Sequence, residues 1–120
     1  KASQVRALIK EDFKKAFEKC DMIAGPVSPT TAFKIGEKTN DPLSMYLSDV
    51  YTLSTNLAGL PGLSMNVGFD SQKLPIGMQI LTPWWQESLM LGISAWYQKR
   101  NPQSLNTAAF CQQYYKNGAR

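Results

Sequence analysis

Much of the side-chain chemistry that enzymes use is ruled out within this chain by one absence: it contains no histidine. A Ser-His-Asp triad, a Cys-His pair and a zinc site with imidazole ligands are therefore excluded here. Cys20 and Cys111 lie far apart, without CxxC spacing. Two such cysteines make a poor metal site and read as reduced thiols in a cytosolic setting. No SxxK, GxSxG, Walker or GxGxxG pattern occurs. Gly62-Leu63-Ser64-Met65-Asn66 approaches a nucleophile elbow but lacks its closing glycine. Carboxylates remain as candidates for a polar site, and a solvated surface accounts for most of them. Asp49 stands apart, one position from Val50 and three from Tyr46, at the edge of an apolar stripe with helical spacing. An acidic group there could meet a cationic ligand group at a cleft, or it could be an ordinary rim carboxylate. Spacing alone favours the rim.

The elements that would position such a group are clearest between Asn56 and Leu81. Leu63, Met65 and Val67 alternate with polar residues, and so do Leu74, Ile76, Met78 and Ile80 with Pro75, Gly77 and Gln79. That period of two predicts two strands joined through Gly68 to Lys73 as an antiparallel hairpin. Gly59, Pro61 and Gly62 mark an abrupt start after a helix, with Gly59 where positive φ is needed. Before this, Val5, Ile9, Phe13 and Phe17 recur every four residues, with charges largely off that face, which predicts an amphipathic first helix. Glu11 and Lys15 support it at i, i+4 spacing. Asp21 to Ala24, closed by Gly25 and Pro26, reads as a short buried parallel strand. Residues 26–40 have loop composition. Asp41 and Pro42 fit an N-cap and first residue of a second helix, which the spacing of Leu43, Tyr46, Leu47, Val50, Leu53 and Leu57 continues to Gly59. Leu89, Ile93, Trp96 and Tyr97 predict a third helix ending near Arg100, with Pro102 as its stop. A weak helical pattern runs from Leu105 to Tyr115.

With 120 residues and 43% apolar content, one modest core is expected. The formal charge of +4 is mild, and the basic residues are scattered among carboxylates rather than gathered with aromatics into a nucleic-acid stripe. No apolar run is long enough to span a bilayer, so no membrane segment is expected. Lys1 opens a helical pattern without a preceding Met, which points to a piece of something longer.

Several blocks carry a family resemblance. They are Lys1-Ala2-Ser3-Gln4-Val5-Arg6, Asp12-Phe13, the loop from Gly25 to Phe33, Asp41-Pro42 with Met45-Tyr46 and Asp49, and the entrance from Asn56 to Pro61. In this order and spacing the chain resembles the carboxy-terminal part of the A subunits of glutamyl-tRNA(Gln) amidotransferases, a branch of the amidase signature family. The likeness covers residues 1–100, whereas residues 101–120 form a tail without it. It implies an α/β fragment of the amidase-signature fold: strands of a mixed sheet, including the hairpin, covered by about three helices.

The resemblance also implies an activity. The whole enzyme would hydrolyse glutamine, and a partner B subunit would use the ammonia, with ATP and magnesium, to convert Glu-tRNA(Gln) to Gln-tRNA(Gln). A small C subunit would complete the complex, in a bacterial cytoplasm or an organelle matrix. The family's catalytic lysine and two serines belong to its amino-terminal half, so no catalytic residue, metal or cofactor is expected in these 120 residues, and the piece should be inactive alone. Asp49 matches the acidic residue that holds the α-ammonium of glutamine, and its companion arginine would lie upstream of Lys1. Two departures stand out: Asn66 where relatives carry a proline, and Trp85-Gln86-Glu87 where they carry an aromatic-Asp-Glu pattern. Cut from the rest, the apolar faces would lack partners and invite self-association. Two other readings stay open, a different amidase-signature amide hydrolase and an independent interaction module.

Overall fold

The computed structural model describes residues 1–106 and 108. Four α-helices, three strands and one 3₁₀ turn follow one another: α1 Ala2–Phe17, β1 Ile23–Pro26, α2 Pro42–Leu47, α3 Leu53–Ala58, β2 Gly62–Phe69, β3 Pro75–Leu81, α4 Glu87–Arg100, and a 3₁₀ turn over Pro102–Leu105. The strands make one antiparallel sheet in the order β1-β3-β2. β3 is central. Ile80 stands opposite Ala24 on one side and Leu63 on the other, and Gln79 opposite Gly25 and Ser64.

The expected hairpin forms where the alternation places it. Its turn is fixed by Asp70, whose side chain accepts from the Gln72 and Leu74 amides at 2.8 and 2.9 Å, while Lys73 takes the left-handed conformation. A register shift between Asn66 and Gly68 adds a bulge to β2. Asn66 occupies it fully: its Oδ1 accepts from the Gly68 amide, and its Nδ2 donates to the Ser104 carbonyl at 3.1 Å. This asparagine thus fastens the 3₁₀ turn to β2, so residues 102–105 pack with the rest. Most of the tail lies outside the described residues, as do Cys111 and the bulk of the weak helical pattern from Leu105 to Tyr115.

The two sheet faces differ. Met65 and Ile80 are buried on one face against Met90 of α4, with Leu63, Met78, Ile93 and Tyr97 around them. Burying side chains of this size contributes roughly 1.5–3 kcal/mol each. The other face carries Gly62 and Gln79, and α3 approaches it closely. A Cβ on Gly62 would lie 2.9 Å from Thr55 Cγ2 and 3.3 Å from Leu81 Cδ2. α3 ends as expected on Gly59, at φ 65°.

The structure departs from several of these expectations. β1 is antiparallel to β3, not parallel, and only alternate residues are half-buried; among the described residues the three strands are antiparallel throughout. The strand also runs through Gly25 and Pro26 instead of stopping before them. Pro26 is tolerated because it ends an edge strand.

The predicted second helix is two. Asp41 caps α2 as expected, accepting from the Ser44 amide. After Leu47, however, the amides of Ser48, Asp49 and Val50 bond three residues back rather than four. Thr52 Oγ1 then donates to the Asp49 carbonyl, competing with helical pairing. Among the described residues four short or medium α-helices therefore accompany the sheet, the extra one arising from this break. Finally, Pro102 opens the 3₁₀ turn rather than merely ending α4. At the start of α4, Gln86 occupies the N-cap without a side-chain hydrogen bond, and Trp85 before it has φ 67°.

Replacing Gly62 with Ala should destabilise the fold by about 1–3 kcal/mol in urea unfolding, because the added methyl overlaps Thr55. Adding Thr55→Ser, which removes that Cγ2, should restore most of the loss.

Candidate functional site

Asp49 lies in the turn between α2 and α3, not on a helix. The turn is ordered through its backbone. The Asp49 carbonyl accepts from the Thr52 and Leu53 amides at 3.0 and 3.3 Å, and from Thr52 Oγ1 at 3.1 Å. The side chain is exposed, and among the described residues no hydrogen bond reaches its carboxylate. A carboxylate in this state keeps its full capacity to accept from an ammonium group. Tyr46 and Val50, which the sequence placed beside it, are also exposed.

Next to this turn, α3 and the sheet enclose a cleft of about 160 Å³. Thr52, Thr55, Asn56, Ser64 and Gln79 contribute polar groups to a lining that Val27, Leu63 and Leu81 make mostly apolar. The Thr55 hydroxyl is buried there without a hydrogen-bond partner. Gln79 reaches out of β3 to two carbonyls distant in sequence, Pro26 and Tyr51, each at 3.0 Å. Sequence reasoning registered Gln79 only as the polar half of an alternation. Nothing in spacing signals acceptors 53 and 28 residues away.

The cleft does not hold a bond-breaking pair. Ser64 lies in the middle of β2 rather than at a strand-to-helix elbow, which disposes of the Gly62–Asn66 near-match. One lysine does meet a serine: Lys38 Nζ donates to Ser48 Oγ at 3.0 Å. That hydroxyl donates to the Ser44 carbonyl, also at 3.0 Å, so the pair finishes the end of α2 and leaves no activated nucleophile. Among the described residues no three His, Cys, Asp or Glu come together as a metal site, and no helix is long and apolar enough to cross a membrane. Cys20 is an exposed thiol at the end of α1.

The loop after β1 is anchored through a second carboxylate. Asp70 in the hairpin turn accepts from Thr31 Oγ1 at 2.7 Å, besides the two backbone amides of its own turn. The Thr31 hydroxyl, then the backbone amides, hold the Asp70 carboxyl below its ordinary value. The Ser44 contacts lower Asp41 in the same way at the start of α2.

Comparison with known proteins gives three kinds of likeness. The family model described as Amidase matches residues 1–91. The A subunit of glutamyl-tRNA(Gln) amidotransferase from Desulfatibacillum aliphaticivorans is 60% identical over 99 residues, covering 82% of this chain and 20% of that one. The protein of the same name from Chromobacterium violaceum is 56% identical over 99 residues, with the same coverage. This chain thus spans about a fifth of the length of these relatives. Among solved structures, the A subunit from Thermotoga maritima superposes with a TM-score of 0.63 at 43% identity, over 68% of this chain and 18% of that one. A 6-aminohexanoate cyclic dimer hydrolase reaches 0.75 at 20% identity, over 87% and 24%, and so shares the fold.

The lowered carboxyls set a pH dependence. A carboxylate whose folded pKa is depressed adds stability that is fully present above its unfolded pKa of about 3.9 and is lost as pH falls through the folded value. Asp70→Asn should therefore lower the melting temperature at pH 7 and flatten the loss of stability below about pH 4. A thermal melt series from pH 7 to 2.5 measures both.

Proposed function

Because this chain belongs to the amidase family, we propose that it is the carboxy-terminal part of the glutamine-hydrolysing A subunit of a tRNA-dependent amidotransferase. The 60% identity to a protein of that name carries the assignment. In this reading the whole enzyme releases ammonia from glutamine. The B subunit, using ATP and magnesium, transfers it to Glu-tRNA(Gln), and the C subunit completes the complex. The setting would be a bacterial cytoplasm or an organelle matrix.

Within that scheme the segment supplies a binding wall and not the reactive groups. Its part is Asp49, whose exposed and unengaged carboxylate would accept the α-ammonium of glutamine. Such a contact selects an amino acid over a plain amide, since a substrate without the ammonium would leave the carboxylate unmatched. The bond-breaking lysine and serines would lie elsewhere in the enzyme, so the segment alone would hydrolyse no glutamine.

A full-length chimera tests the assignment. The 99 matching residues replace their counterpart in the Desulfatibacillum relative, and glutamine hydrolysis is followed as ammonia release. Asp49→Asn should raise the KM for glutamine by roughly tenfold or more, the loss of one charged hydrogen bond, with a smaller change in kcat. An unchanged KM would remove Asp49 from the site and favour an amidase acting on simple amides.

By itself the segment is expected to self-associate. Val5 and Leu8 of α1, and Leu43, Tyr46 and Val50 around α2, are large apolar side chains left exposed. Sedimentation velocity should show a mass that rises with concentration; a strictly monomeric, sharply melting species would favour an independent module.

A further inference from the structure

Gln79 makes the contact that joins the Asp49 turn to the sheet. Its Nε2 donates to the Tyr51 carbonyl at 3.0 Å and to the Pro26 carbonyl at 3.0 Å. Both acceptors are carbonyls, so the amide can face them only with its nitrogen, and both of its N–H groups are used. Neither acceptor is a residue registered opposite Gln79 in the sheet, where Gly25 and Ser64 stand. The two carbonyls mark separate places: Pro26 closes β1, and Tyr51 lies two residues from Asp49 in the turn between α2 and α3. That turn has little else to hold it to the sheet. Its own backbone bonds are local, and the side chains of Tyr46, Leu47, Val50 and Tyr51 around it are exposed.

We propose that Gln79 is the positioning residue of the site: by holding the Tyr51 and Pro26 carbonyls it fixes the turn that presents Asp49 to the substrate's ammonium group. This rests on the role given above to Asp49. Gln79 touches no substrate atom in this account. Its effect reaches the ligand only through the backbone between positions 49 and 51. Losing it would let the turn sample positions in which the carboxylate misses its partner, and a charged hydrogen bond weakens steeply with misplacement.

The test compares two substrates in the full-length chimera, glutamine and glutaramate, which is glutamine without its amino group. The readout is the ratio of their kcat/KM values, which reports ammonium recognition and is insensitive to a general loss of folded enzyme. Asp49→Asn should lower that ratio roughly tenfold or more. Gln79→Met keeps the length of the side chain without its donors. It should lower the ratio roughly three- to tenfold through the KM for glutamine, leaving glutaramate hydrolysis near wild type. Combined with Asp49→Asn, it should lower the ratio no further, since both act on one contact. If Gln79→Met does not fold by circular dichroism, Gln79→Glu, which keeps the shape but not the paired donors, takes its place.

A Gln79 variant that slows both substrates equally would show a merely structural contact and overturn the proposal. So would an unchanged ratio in that variant when Asp49→Asn lowers it. An Asp49→Asn ratio equal to wild type would instead locate the failure in the role of Asp49 and remove both.

Discussion

The double pairing of β3 is the constraint on which the rest of the structure depends. A strand held on both edges cannot slip, because a shift of one residue would exchange its faces. Ile80 is thereby committed to the core with Met65 and Met90, and Gln79 to the opposite face, toward α3 and the turn before it. The same pairing brings the end of β1 beside the hairpin, though more than fifty residues separate Pro26 from its partner Met78. Gly62 then lets α3 lie close enough for a side chain of the sheet to reach the turn. Register, close packing and the Gln79 bridge are successive consequences of one ladder.

The features legible in the sequence and those that were not divide along the range of the interaction responsible. The hairpin, the Asp41 cap, the left-handed Gly59 and the extent of α4 are set by residues within a few positions of each other, and all were legible. The direction of β1 was not. A run of four residues between a helix and Gly-Pro carries no record of which strand it will meet. The break between α2 and α3 was hidden for a different reason. Leu43 to Leu57 keep helical spacing, but the tighter bonding at residues 48–50 rotates the chain beyond it, and side-chain competition at Thr52 completes the interruption. Asp49 was singled out by its place on a stripe and by family likeness. Its actual setting, an exposed turn, depends on the break that spacing concealed.

The small core bears on how the chain is organised. Among the described residues only Ala58, Leu60, Met65, Ile80, Leu81 and Met90 are buried apolar side chains. None lies in α1 or α2. Yet α1 has a well-formed apolar periodicity, Ile9, Phe13 and Phe17 being half-buried while Val5 and Leu8 face outward. Periodicity is encoded locally and burial is supplied by neighbours, so the two can part company. Here they do. A chain that matches about a fifth of its relatives' length shows elements of the right kind whose apolar faces exceed what these residues can cover.

The proposed division, a binding wall encoded apart from the groups that break a bond, rests on the same separation. Recognition of an ammonium group needs a carboxylate free to accept, presented from backbone that does not drift. It needs no shifted pKa and no activated nucleophile. The Asp49 turn meets the first condition through its exposure, and the second through its backbone bonds together with the Gln79 bridge to the sheet. Covalent catalysis asks for a nucleophile within hydrogen-bond reach of its base, a demand that couples side chains tightly to each other. The Lys38-Ser48 contact shows the contrast. It has the residue types and the distance, but the serine's hydrogen is given to a carbonyl and its oxygen receives a proton donor. Residue types alone would have made it a candidate; the direction of its hydrogen bonds makes it the end of a helix.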